Sequence, residues 1–341
     1  MDNPEITEEP DQEHRPTMSG APLAYDSNSG TNSTSNSSQD FSFICFPEVH
    51  SSDIATPLTF LLIVTIISNV ILLSIIYIEP RLHHPMYYFL ALLAMVDILL
   101  CTVTTPRVLL ILWTEYKTIS ESACFSQMFF ATFWSAMESS IFLVMAYDRY
   151  VAICNPLHYP TIITNKLVAK ACVFIVVRNL VVALPPPLLA ARLDYCSSKK
   201  IRHCFCENMS VEKLSCSDYT ASNIFGLVCF FLFGGTDVFL IIVSYFLILR
   251  TVVKARSFSA ASKAFRTCGS HLIVICIFYF TVASTIVSSR TFQELPRPIH
   301  VIFSILHYLL PPLLNPLVYG MLTKEIRNSI QRMIGKIKIH P

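Results

Sequence analysis

Charge is scarce in this chain. Asp, Glu, Lys and Arg make up 14% of its 341 residues, where an ordinary soluble domain carries about 25%, so a soluble enzyme is excluded first. Eight glycines against twenty prolines, with a mean hydropathy of +0.54, describe long apolar helices interrupted by proline. No HExxH, GxSxG or phosphate-binding loop is present, which removes the sequence case for a membrane enzyme. An internal repeat is also missing, so nothing supports the inverted halves common in secondary transporters. The first thirty residues lack both a basic start and an apolar stretch; a cleavable signal peptide is therefore not expected, and the first span is read as an uncleaved signal.

What the chain does have is apolar length. A spanning helix needs about 20 mostly apolar residues, and seven runs qualify: 55–78, 85–105, 124–147, 167–189, 219–249, 268–289 and 299–323. Their few charges are Asp97, Glu138, Lys170, Arg178 and Asp237. Basic residues in short loops stay cytoplasmic. Arg250, Lys254, Arg256, Lys263 and Arg266 follow the fifth run without an acid, and Lys324, Arg327, Arg332, Lys336 and Lys338 follow the seventh. Both segments are placed inside, which leaves the amino terminus outside. The expected fold is an all-α membrane protein: a seven-transmembrane bundle over residues 55–322, with an extracellular amino terminus and a short cytoplasmic amphipathic helix in 323–341. In that last segment Ile326, Ile330, Met333 and Ile337 recur at helical spacing among basic residues, which suits a helix lying on the membrane surface.

Residues 1–54 carry ten acids and one base and are rich in Ser and Asn, a composition too apolar-poor to fold alone. They read as a disordered extracellular tail, glycosylated at the sequons of Asn32 and Asn36. With a net charge of +2 and this asymmetry, nucleic acid is not an implied partner; membrane lipid is. Six cysteines lie in apolar runs or at their ends, whereas Cys124, Cys196, Cys204, Cys206 and Cys216 fall on the outer side, where disulfides persist. A bridge from Cys124 would hold the loop after the fourth run as a lid, and spacing leaves its partner open.

The segment MAYDRYVAICNPLHY at 145–159, where the third run meets the cytoplasm, resembles the signature of olfactory receptors within the rhodopsin-like G-protein-coupled receptors. LHHPMYYFLALLAMVD (82–97), SYFLIL (244–249), KAFRTCGSHL (263–272), PPLLNPLVYG (311–320) and the loop CSSKKIRHCFCENMSVEKLSCSD (196–218) extend the resemblance over about residues 55–335. SAMESSIF in the third run, Arg178 and TKEIR look like the class I, fish-like branch. Ser68, Ala94, Arg266 and Phe280 depart from common family residues; Arg266 adds a charge at the cytoplasmic start of the sixth helix.

The resemblance implies disulfides Cys124–Cys206 and Cys196–Cys216, with Cys204 left over as a free or packed thiol. It implies a cytoplasmic switch in which Asp148 restrains Arg149, beside Tyr150, and in which Tyr245, His271 and Tyr319 gather around Arg149 in the active state. In an apolar segment His271 reads equally as a packing group. Pro316 distorts the seventh helix and gives Tyr319 room to move. Asp97, twelve residues above Pro85, and Glu138, eleven above Arg149, should share one depth at helical rise. With Ser139 and Asn315 near, they read either as the site of an allosteric sodium ion, which the resemblance supports, or as a protonated, hydrogen-bonded pair. No other cofactor is implied.

In the sixth run Tyr279, Val282, Ala283, Ile286 and Arg290 fall on one helical stripe. This stripe should face the bundle, where Thr132, Ser135 and Cys229 complete a mostly apolar ligand pocket. Arg290 then either pairs with a ligand carboxylate or turns into water; Arg107 and the Lys199–Arg202 cluster are rival cations. Class I receptors often recognise carboxylic acids, so the expected activity is that of an odorant receptor. It binds a small, carboxylate-bearing odorant and activates the heterotrimeric stimulatory, olfactory-type G protein to raise cyclic AMP, at the plasma membrane of sensory cilia. The alternatives are a metabolite chemosensor of the same fold and, more remotely, a channel or transporter.

Overall fold

The computed structural model describes residues 40–46, 51–114, 116–196, 199–254, 258–290 and 297–339, with the side chains of 258–267, 290, 297 and 333–339 outside that description. The helices are α1 (Ser51–Ile78), α2 (Pro85–Trp113), α3 (Glu121–Cys154), α4 (Tyr159–Ile162), α5 (Asn165–Ala183), α6 (Pro185–Ala190), α7 (Asn208–Glu212), α8 (Thr220–Cys229), α9 (Gly235–Lys254), α10 (Phe258–Arg290), α11 (Arg297–Leu322) and α12 (Lys324–Ile339). Seven spans are long and apolar enough to cross a membrane among the described residues. Five of them follow α1, α2, α3, α10 and α11. The fourth joins α5 to α6, because Pro185, Pro186 and Pro187 interrupt the hydrogen-bond ladder. The fifth joins α8 to α9 through a π-helical turn, Phe230–Gly234.

Local chemistry sets several helix ends. Ser120 accepts a hydrogen bond from Ala123 N at the start of α3, and Thr164 accepts one from Leu167 N at the start of α5. Pro85 opens α2, where its missing amide costs nothing. Along α5 and α9 large apolar side chains stay exposed, among them Phe174 and Phe246, because the bilayer rather than water is their solvent. α3 is the hub, packed on α2, α5, α6, α9 and α10; Phe142, Phe278 and Tyr319 are buried together in the core around it.

The outer end departs from the expected tail and adds a small sheet to the helical fold. Strand β1 (Asp40–Phe43) pairs antiparallel with β2 (Thr118–Ser120) and parallel with β3 (Lys200–Ile201), with Phe41 opposite Ile119 and Phe43 opposite Ile201. Alternation explains it. Phe41 and Phe43 are buried, Phe41 edge-on to Tyr195 and Phe125, while Asp40 between strand and solvent stays exposed. The order that composition concealed therefore includes residues 40–46 and 51–54, and α1 begins at Ser51 rather than at residue 55. Asn32 and Asn36 lie outside the described residues.

Candidate functional site: a cavity between the outer helix ends

A cavity of about 290 Å³ opens between α3, α5, α8, α9 and α10. Thr132 and Ser135 of α3, Cys229 of α8, and Tyr279, Val282 and Ile286 of α10 all line it. Ala283 does not: it is exposed, because a step of four residues turns it about 40° past Tyr279 while Val282 and Ile286 fall on the other side. The side chain of Arg290 is outside the described residues. Two of the rival cations are engaged elsewhere. Arg107 stacks 5.0 Å from the Phe43 ring and donates to Thr118 O, and Lys199 pairs with Glu121 at 2.6 Å.

One polar network in this wall was not foreseen from spacing. Arg178 Nη2 lies 2.8 Å from Asp237 Oδ1, and its Nη1 donates to Asp237 Oδ2 at 3.1 Å and to Ser140 Oγ at 2.8 Å. Its Nη2 also donates to Phe233 O, a carbonyl of the π turn, at 3.1 Å, and π turns recur at functional sites. Ser139 Oγ donates to Asp237 Oδ2 at 2.8 Å and meets the Tyr279 hydroxyl at 3.0 Å. The fourth, third, fifth and sixth spans are thereby tied together where the cavity ends. Arg178 in the fourth apolar run and Asp237, the one charge of the fifth, were the available signal, since intramembrane charges usually find one another. His307 is a second surprise: it bridges Ser135 Oγ (3.1 Å) and Thr281 Oγ1 (3.3 Å).

Asp97 and Glu138 do meet, both fully buried. Asn315 Nδ2 donates to Asp97 Oδ1 and Oδ2 at 3.1 and 2.9 Å and to Glu138 Oε1 at 3.3 Å. Ser139, expected beside them, instead faces Asp237, being one helical step of 100° from Glu138. Glu138 Oε2 and Asn315 Oδ1 are buried and without a hydrogen-bond partner among the described residues; such hard oxygens fit a small cation.

At the cytoplasmic end Arg149 Nη2 reaches Asp148 Oδ2 at 2.6 Å, and Tyr159 donates to Asp148 Oδ1 at 2.7 Å. Burial, with the Asp148 carboxylate alongside, raises the Tyr159 pKa and keeps the phenol protonated as that donor. Tyr319 Oη and His271 Nδ1 are 3.4 Å apart. Tyr150 and Tyr245 pack against Ile248, Val252 and Cys268, and the Tyr245 hydroxyl is buried without a partner among the described residues.

The lid over the cavity is cross-linked three times: Cys124–Cys206, Cys196–Cys216 and Cys45–Cys204. Cys204 is therefore not left over. Its partner sits in the segment that composition had assigned to the tail, brought there when β1 joins the sheet. Beneath the lid His203 is fully buried, 4.3 Å from the Phe205 ring and 5.5 Å from that of His300, and burial pushes its pKa down to about 4. Asn208 also lines the cavity, donating from Nδ2 to Glu212 Oε1 at 2.9 Å.

Comparison with known proteins bears on this arrangement. A family model for olfactory receptors matches residues 58–337. Among curated relatives, Olfactory receptor 56A1 of Homo sapiens is 44% identical over 92% of this chain and 98% of its own length. Olfactory receptor 56A4 of Homo sapiens is 43% identical over 87% and 96%, and Olfactory receptor 56B34 of Mus musculus is 41% identical over 89% and 95%. With seven spans, a disulfide-closed lid and an Asp-Arg-Tyr end to the third span, the chain belongs to the olfactory receptor family of rhodopsin-like G-protein-coupled receptors, a multi-pass membrane protein that senses odorants and not an enzyme.

Proposed function

We propose that the cavity of about 290 Å³ is the odorant site and that its ligand is a small acid with an apolar tail. The cavity's size, at the lower edge of the range for ligand pockets, supports a small ligand. Six of the eight residues expected around a ligand line this one cavity, and that convergence carries the reading. Arg290, eleven residues beyond Tyr279 on its stripe, is the intended partner for a carboxylate. Arg178 is already committed to Asp237, so a ligand carboxylate at that end would leave Asp237 buried and unpaired.

Ligand binding shifts the receptor only if it favours the active state over the resting one. In the arrangement described, Arg149 is held by Asp148 while Tyr245, His271 and Tyr319 make no hydrogen bond to it, which suits a resting state. Activation frees Arg149 toward the stimulatory, olfactory-type G protein, and cyclic AMP rises in sensory cilia. A sodium ion would be held by Asp97, Glu138 and the Asn315 carbonyl in the resting state. The ligand test is an Arg290→Ala receptor, matched for surface expression and titrated with an acid agonist and its methyl ester. Loss of the preference for the acid is expected, and an unchanged preference eliminates Arg290. Coupling is tested with Arg149→Ala in a cyclic-AMP reporter cell: retained full signalling overturns the latch. Resting-state stability in sodium against choline, with Asp97→Asn as control, tests the ion.

A further inference from the structure

A second recess, of about 500 Å³, separates α9 from α10 in the cytoplasmic half of the bundle. α9 packs broadly on α3 and only thinly on α10. The walls are apolar, with Ile241, Ile248 and Val252 on one side and Leu272 and Ile275 on the other. Its rim side chains Ile242 and Phe246 are exposed, so the opening faces the hydrocarbon. Two features distinguish this recess from an ordinary lipid-facing crevice. Tyr245 lines it, and its hydroxyl is buried and without a hydrogen-bond partner among the described residues; an unmet buried hydroxyl invites a partner. Phe246 and Leu249 also line an adjoining opening whose other walls are Arg250, Val253 and Lys254.

Those two cations are not neutralised locally. Neither makes an ion pair among the described residues, and no Asp or Glu occurs from residue 238 to residue 293. Tyr245 lies five residues deeper than Arg250, about 7.5 Å along the helix axis and turned about 140° around it, so a lipid seated on Arg250 reaches Tyr245 by passing between α9 and α10. We infer that the recess between α9 and α10 binds an anionic phospholipid of the cytoplasmic leaflet, with its phosphate on Arg250 and Lys254, an ester carbonyl accepting from Tyr245, and an acyl chain between the helices. Basic residues at a membrane's inner surface attract anionic lipid with a strength that, for two of them, amounts to a roughly 30-fold preference over a zwitterionic lipid. The lipid props α9 against α10 at Tyr245. Its effect on basal signalling rests on the switch proposed above; the binding itself does not.

Cys276 supplies the readout, because it is a free, exposed thiol on the wall of the recess. Full-length receptor is placed in nanodiscs of phosphatidylcholine alone or doped with phosphatidylserine, and its modification by a membrane-permeant maleimide is followed, with Cys276→Ser giving the background. Native mass spectrometry counts the lipid retained. Phosphatidylserine is expected to slow labelling of Cys276 about tenfold or more and to be retained. The double variant Arg250→Gln/Lys254→Gln loses both effects, whereas Arg250→Lys/Lys254→Arg keeps them and shows that folding is intact. Leu272→Trp, which fills the recess, abolishes retention. Equal labelling and retention with the two lipids overturns the inference and leaves the basic rim to the G protein alone. Protection by soluble glycerophosphoserine equal to that by the lipid also overturns it, reducing the site to an anion patch.

Discussion

Removing one partner of the Arg178–Asp237 pair should be among the most damaging single changes in the bundle. The side chains are 12% and 3% exposed, so neither charge is screened by water. Arg178 donates to Asp237, Ser140 and Phe233 O, and Ser139 also donates to the Asp237 carboxylate. Asp237→Ala leaves the guanidinium with two neutral acceptors in a low-dielectric interior, and losing one partner of a buried pair costs about 3–5 kcal/mol. In a thermal melt of purified receptor this corresponds to a fall of roughly 10 °C. Arg178→Met strands the carboxylate in the same way. The double variant Arg178→Met/Asp237→Leu removes both charges and replaces them with apolar volume, so it should recover most of the loss, and the double-mutant cycle should show a coupling of about 2 kcal/mol or more. Val173→Ala, on the exposed face of α5, is the control. If the two single variants melt with this control, or their effects simply add, the network is not a structural tie between the spans.

Three further outcomes follow from the outer end. Digestion of the unreduced receptor should yield a peptide joining Cys45 to Cys204, and Cys45→Ser should lower surface expression, since a bridge across 159 residues contributes about 5 kcal/mol in the chain-entropy account; separate peptides would refute it. Asn208-Met209-Ser210 is a third sequon, but its amide nitrogen is held by Glu212 at the cavity wall, so Asn208→Gln should leave the glycan mass unchanged while Asn32→Gln/Asn36→Gln removes it, as read by mobility after deglycosylation. His203 titrates near 6.5 when unfolded and near 4 when buried. The unfolded chain therefore binds more protons between those values, and stability falls as pH drops through that window, by roughly 3 kcal/mol in all. Melts of wild type from pH 7 to 4 should show this decline and His203→Phe should flatten it; parallel curves would refute the assignment.

Seven apolar runs, the basic inner loops and the amphipathic end were legible because the bilayer imposes length and charge rules on the chain itself. The Asp-Arg-Tyr end of the third span and the cysteine spacing were equally local signals. Helical spacing also aligned Tyr279, Val282 and Ile286, although it gave no edge to the stripe, and only the neighbouring helices decided that Ala283 falls outside the cavity. Other features needed distant segments to meet. Ser139 lies next to Glu138 in sequence, yet turns to Asp237, 98 residues away. Cys45 finds Cys204 because two phenylalanines in a polar stretch add a strand to a sheet whose other strands come from separate loops. The physical reason is common to all of them. Hydropathy and periodicity determine which side of a helix avoids water, but the partner that a buried charge, hydroxyl or thiol finds depends on which helices pack together, and that is decided only when the bundle closes.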